Sequence, residues 1–240
     1  MLVLAIDCSA KSVSCALARD GKLISETFLN INLTHSETLM PICNQLLVNS
    51  KLTFDDIDAF AVTSGPGSFT GIRIGISAVK GMCFAKDKPV FPVSTLYAMA
   101  LTLKNLRISG VICGLMDARR SQFYNALFQI TDNNIKRLCD DRIILSNNLE
   151  KELLLEYNTQ KVILIGDGAD LFYEGINKSD DIRPVSPLLK FQRASGMAVF
   201  VSGEDCDISP VSPEELRPVY LRKSQAERER ELLADNRAGI

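Results

Sequence analysis

Residues 63–75 read TSGPGSFTGIRIG. Gly65 and Gly67 tolerate positive φ and Pro66 fixes its own, so the run opens as a turn, and Ser68 or Thr70 can cap the helix that follows. A helix start with free N–H groups suits an anion. The spacing nonetheless fits neither familiar phosphate motif. A P-loop needs Lys and Ser/Thr after its last glycine, whereas Gly71 is followed by Ile72-Arg73. Gly65, Gly67 and Gly71 are one residue too long for G-x-G-x-x-G. Gly67, Gly71 and Gly75 recur every fourth residue and form a flat stripe on which another backbone could lie close. Interior glycines cost about 1 kcal/mol each against alanine, which close packing must offset. Ile72, Ile74, Ile76, Ala78, Val79, Met82 and Phe84 surround the stripe, with Arg73 and Lys80 the charges in the middle. A helix so apolar is either wholly internal or shared with a partner.

Outward from this stretch, an order of elements emerges and then repeats. LVLAID (2–7) predicts a short strand, and SVSCALAR (12–19) with DGKLISETF (20–28) predicts a hairpin turning at Asp20-Gly21. Thr34 with Glu37 three residues on predicts a capping box at the head of a helix. AFAVTS (59–64) is a strand entering the glycine loop, the second helix runs to about Lys86, and a strand PVFPV precedes a helix beginning near Ser94. VICGLMD (111–117) begins the series again. FYNALFQI and IKRLCDDRII read as strands about a turn at 132–134, followed by a helix near 147–157, the strand KVILIGDGA (161–169) and a helical stretch at 194–202. Asp7 and Asp117 lie 110 residues apart, and the glycine pairs at 65–67 and 166–168 lie 101 apart. These offsets predict an α/β chain of two duplicated β-β-β-α-β-α lobes: residues 1–105, a smaller lobe 106–222, and a charged tail 223–240.

With 240 residues, 46% of them hydrophobic, the chain can bury a sizeable core. Its 27 Lys and Arg against 29 Asp and Glu leave a formal charge of −2, so it lacks the positive field that draws a protein to nucleic acid. The seven cysteines form no C-x-x-C pair and mostly sit in apolar runs, as free thiols of a reducing compartment do. The N-terminal apolar run is too short for a signal peptide and no run approaches a membrane span, which predicts a cytoplasmic protein. His35 is the sole histidine, which excludes a histidine metal cluster and leaves little room for a Ser-His-Asp triad. Ser77 and Lys80 match S-x-x-K by spacing only, within an apolar helix. Asp7 and Asp117 each end a strand, where a carboxylate either holds a magnesium-bound water beside a nucleotide or forms its own turn.

The segments AIDCS (5–9), HSETLMP (35–41), TSGPGSFTGIRIGISAVKG (63–81), PVSTL (92–96), MDARRSQFY (116–124) and RPVYLR (217–222) together resemble the bacterial TsaB, or YeaZ, family. The similarity runs nearly the whole chain and is weakest from about 130 to 210. It implies the actin-like, Hsp70-like ATPase (ribonuclease H-like) fold. It also implies a non-catalytic subunit of the cytoplasmic complex that forms threonylcarbamoyladenosine beside the anticodon of tRNAs reading codons that begin with A. Its implied partners are the transferase TsaD and the ATPase TsaE, with homodimers when alone, tRNA reached through the complex, and no membrane. TsaD holds its metal on an H-x-x-x-H helix; here Leu39 stands four positions after His35, so no catalytic or metal-binding residue is expected. The resemblance implies a four-helix interface made by the helices at 35–49 and 70–86. His35, Leu39, Met40, Gly67, Gly71, Ile72, Gly75, Ile76 and Val79 are its expected contacts, the glycines flattening a partner-facing helix. Asp7 and Ser9 match a nucleotide-contacting turn of the wider superfamily; no cofactor of the chain's own is expected, with ATP, ADP or Mg a candidate at the interface with TsaD. The alternative is a small-molecule kinase or ATPase of the same fold, turning over ATP through Asp7.

Overall fold

A computed structural model of the chain describes residues 1–222 except 85, 87, 105 and 133; the charged tail expected at 223–240 lies outside the described residues. The first half comprises β1 (Leu2–Asp7), β2 (Val13–Arg19), β3 (Lys22–Leu29), α1 (His35–Asn49), β4 (Ala59–Gly65), α2 (Phe69–Cys83), β5 (Val90–Ser94) and α3 (Thr95–Thr102). The second comprises β6 (Gly110–Asp117), β7 (Gln122–Thr131), β8 (Asn134–Arg137), β9 (Arg142–Leu145), α4 (Ser146–Glu156), β10 (Val162–Ile165), α5 (Ala169–Gly175), β11 (Ile182–Pro184) and α6 (Ser195–Ser202).

Their sheets run β3-β2-β1-β4-β5 and β11-β10-β6-β7-β8. Each puts its first strand at the centre, antiparallel to its hairpin partner on one side and parallel to the strand beyond the first helix on the other. The duplicated arrangement legible in the offsets is therefore the topology of both sheets. β1 is buried along its whole length because both faces of the sheet are covered, as its unbroken apolar run requires. Asp20 and Gly21 both take positive φ, the geometry of a tight hairpin turn, and Thr34 with Glu37 forms the capping box.

Three expectations are corrected. IKRLCDDRII is two strands: β8 pairs with the far end of β7 and β9 with its start. Between them the chain detours, held by an Arg137–Asp141 ion pair at 2.6 Å and by the Leu127 amide donating to Cys139 Sγ at 3.3 Å. α2 ends at Cys83, where Phe84 turns to ψ 130°. β11 carries no alternating pattern and was not expected; three residues are too few to show one.

Helices α1 and α2 cover the outer face of the first sheet, where Leu4, Ile6, Phe60, Leu39, Ile72 and Val79 form one core. α4 and α5 cover the second sheet around Phe123, Leu149 and Phe172. Between the sheets lie α3 and α6. Leu96 and Met99 of α3, with Leu103 just beyond its end, pack on the second sheet, and Ala98 and Leu101 on the first. α6, although it falls within 106–222, packs through Met197, Ala198 and Val201 on Val3, Ala5 and Ala16 of the first sheet. The alanines of β1, β2 and β4 leave the room that these two helices fill.

Candidate functional site

The glycine loop is spent on the chain's own backbone. Ser68 N donates to Ser9 O at 2.7 Å, and Ser68 Oγ caps the helix by accepting from Gly71 N at 3.2 Å. A methyl group at Gly67 would stand 2.3 Å from Ser9 O, and one at Gly71 only 2.0 Å from Cys8 O. Gly75 faces Cys8 and Val62 at ordinary contact distance. The glycine stripe therefore points inward, letting α2 lie on the turn between β1 and β2.

This corrects the expected interface. Leu39, Ile72, Ile76 and Val79 are core residues, Gly71 and Gly75 are buried, and Gly67 is held against Ser9. His35 is half-buried; its Nε2–H donates to Ala10 O at 2.7 Å, while Nδ1 is buried without a partner. Of the nine residues only Met40 is exposed, at 37%. Periodicity groups these residues on one side of the helix but does not say whether that side holds the sheet. The outer side of the pair presents Met40, Pro41 and Val48 from α1 and Thr70, Arg73 and Ser77 from α2, with Ile74, Ala78 and Met82 half-buried and Phe84 85% exposed beyond the helix end. These were missed; on α2 only Thr70, Arg73 and Ser77 lie roughly opposite the glycine row, while Ile74, Ala78 and Met82 lie beside it and pack partly on the core.

Asp7 is buried, and Ser9 gives it both its amide, at 2.8 Å, and its hydroxyl, at 2.6 Å. Burial raises the Asp7 carboxyl above its ordinary value, against the lowering effect of these two bonds and of nearby Thr63 and His35. Its Oδ2 and the Thr63 hydroxyl still lack a hydrogen bond of ordinary geometry. Both donors of Ser9 are thus consumed by a carboxylate, so this turn does not fit a phosphate held by Asp7 and Ser9. Beside it a cleft of about 820 Å³ opens between the halves, where Lys11 from the first faces Asp117 and Asp167 from the second. Asp117 accepts Arg119 N–H at 2.7 Å and so makes its own turn. Burial raises the Asp167 carboxyl, Gln192 opposes this by a hydrogen bond, and Asp117 reinforces it. Among the described residues no three His, Cys, Asp or Glu side chains are placed to share a metal.

The C-terminal segment closes over the same end of α2. Val211 pairs with Val90, Val219 N donates to Ser64 O at 2.7 Å, and Val219 O lies where a side chain at Gly65 would be. Tyr220 stacks on Phe69, ring centroids 3.9 Å apart. Arg222 Nη1 then reaches the second half, donating to Ala118 O at 2.6 Å.

A family model described as "TsaD: tRNA N6-adenosine threonylcarbamoyltransferase" matches residues 24–228. The tRNA threonylcarbamoyladenosine biosynthesis protein TsaB of Bacillus subtilis (strain 168) is 31% identical over 172 residues, 71% of this chain and 73% of that protein. The protein of the same name from Escherichia coli (strain K12) is 29% identical over 230 residues, 94% and 96% of the two. The solved structure of YeaZ from Pseudomonas aeruginosa has the same fold, with a TM-score of 0.75 at 24% identity over 92% of this chain and 99% of that one. No helix among the described residues is long and apolar enough to cross a membrane.

Proposed function

Because this chain belongs to the TsaB (YeaZ) family, we propose that it is a non-catalytic subunit of the machinery that forms threonylcarbamoyladenosine in tRNA, binding and supporting the TsaD transferase in the cytoplasm. The observation that carries this reading is the outer face of α1 and α2. Met40, Pro41 and Val48 are exposed, and Ile74, Ala78 and Met82, which pack partly on the core, are half-buried. Exposed and half-buried apolar side chains on two adjacent helices suit association with a like pair. Leu39, where a second metal-binding histidine would stand, lies in the core, which supports leaving the transfer chemistry to TsaD. The same face serves a homodimer when the chain is alone, so the two pairings compete. TsaE joins the assembly beyond this face, tRNA is reached through TsaD, and ATP, ADP or Mg, if used, sit at the interface with TsaD.

Mixing purified chain and TsaD on gel filtration tests the reading. Met40→Glu with Ala78→Glu places two carboxylates in the face and should abolish co-elution while leaving the circular dichroism unchanged. Co-elution undiminished in that variant would reject it. The alternative kinase reading has against it the sealed Asp7–Ser9 turn. It predicts Mg-ATP turnover by the chain alone that Asp7→Asn removes.

A further inference from the structure

Arg73 stands on the outer side of α2, and unlike most exposed arginines it is held. Its Nε donates to Tyr220 Oη at 2.7 Å, and its guanidinium carbon lies 4.3 Å from the Phe69 ring centroid and 5.6 Å from that of Tyr220. The two rings are within 10° of parallel, and Tyr220 is itself fixed by the Val219–Ser64 hydrogen bond beside it. Neither Nη1 nor Nη2 of Arg73 has a hydrogen-bond or ion-pair partner among the described residues. A guanidinium so clamped keeps its forked end outward with much of its rotational freedom already surrendered, which lowers the entropic cost of a contact made later. Next to it an open groove of about 570 Å³ runs between α2 and residues 214–218. Ile76, Leu216 and Pro218 line it, and Arg73, Lys80 and Arg217 supply three cations against one carboxylate, Glu214.

We propose that Arg73 is the polar anchor of the docking face, and that the groove beside it takes an acidic segment of the partner protein whose carboxylate closes in bidentate fashion on the Arg73 fork. The inference rests on the docking reading above and names the chemistry of the partner surface. Bidentate arginine–carboxylate contacts are strong and directional, and arginines fixed near the centre of an interface are common energetic anchors. A protein segment suits the groove better than an RNA phosphate backbone. The floor is apolar, Glu214 stands on its wall, and the chain's formal charge is −2, so the long-range attraction on which phosphate binding depends is missing.

The test measures the dissociation constant of the complex with TsaD, full chains of both, by calorimetry at 0.1 and 0.5 M NaCl. Arg73→Ala should weaken pairing at least about tenfold and flatten its salt dependence. Arg73→Lys, which keeps the charge and loses the fork, should recover only part of it. Tyr220→Phe, which keeps the ring and drops the hydroxyl, should weaken pairing several-fold with unchanged circular dichroism. If Arg73→Ala pairs within twofold of the parent at both salts while Met40→Glu with Ala78→Glu abolishes pairing, the anchor is overturned and the docking face stands. If Arg73→Ala spares pairing and instead weakens the binding of tRNA to the complex, the groove belongs to RNA and the inference is overturned. If the parent chain does not pair with TsaD, the docking reading fails and the inference with it.

Discussion

Strands β1 and β6 hold the same place in their sheets, and the aspartates that end them make the same turn: Asp7 accepts the amide of Ser9 at 2.8 Å and Asp117 that of Arg119 at 2.7 Å. The glycine pairs correspond as well. At their second members, Gly67 presses on Ser9 O just beyond β1, and a methyl at Gly168 would stand 3.0 Å from Asp117 N at the end of β6. Two units that share such contacts share them for packing, since in each the second glycine lets its loop lie against the chain at the end of the central strand. The difference lies outside. α1 and α2 have 15 residues each, whereas α4 has 11 and α5 has 7. Among the described residues only the second helix of the first half carries a stacked aromatic strap at its head, Phe69 against Tyr220. The lesson is that the repeated motif marks the fold, and the unrepeated outer surface is where the two halves part.

The largest expected effect tests that lesson directly. Gly71→Ala, with its methyl 2.0 Å from Cys8 O, should cost about 3 kcal/mol or more of stability, and Gly166→Ala, which adds a φ of +114°, as much or more. Denaturant midpoints measure both. If Gly71→Ala unfolds at the parent midpoint yet fails to pair, the parallel between the two glycine loops is broken. Next in size is the loss of TsaD pairing on placing glutamates at Met40 and Ala78, with stability changed by less than about 1 kcal/mol.

A smaller effect separates the two aspartates. The Asp7 carboxyl has a raised value in the folded chain, so its stabilising contribution is complete at pH below its unfolded value and is lost as pH rises through the folded one. Asp7→Asn keeps an oxygen for Ser9 and removes the buried charge. It should raise Tm at pH 7.5, and the gain should shrink as pH falls toward about 4. A gain that grew on acidification would show the sign to be wrong. Smallest is Gly81→Ala: nothing lies within 4 Å of the added methyl, so helix propensity alone should stabilise by up to about 1 kcal/mol. A loss there would mean that the outer side of α2 is as crowded as the inner.

Much of this was legible in the chain itself. LVLAID reads as a short apolar strand, Asp20-Gly21 as a hairpin turn and Thr34 with Glu37 as a helix start, and each takes that form, the turn and the cap because neighbours within a few residues satisfy them. IKRLCDDRII defeated the same reasoning because its break is set by what β7 offers across the ladder, and β7 is remote in sequence. The expected contacts on α2 failed for a related reason. A four-residue recurrence fixes one side of a helix, but it does not say whether a sheet or solvent lies against that side.

The sequence alone determined the elements of the first half, the duplication, the family, and the lack of a second histidine after His35, since these depend on local spacing and residue identity. The tertiary structure alone decided that Gly67, Gly71 and Gly75 meet Cys8 and Ser9, that Ser9 is consumed by Asp7, and that Arg73 is clamped by Tyr220 147 residues away. Each of those contacts joins parts of the chain whose approach follows from how the helices lie on the sheet and where the C-terminal segment returns, and no local pattern encodes that placement.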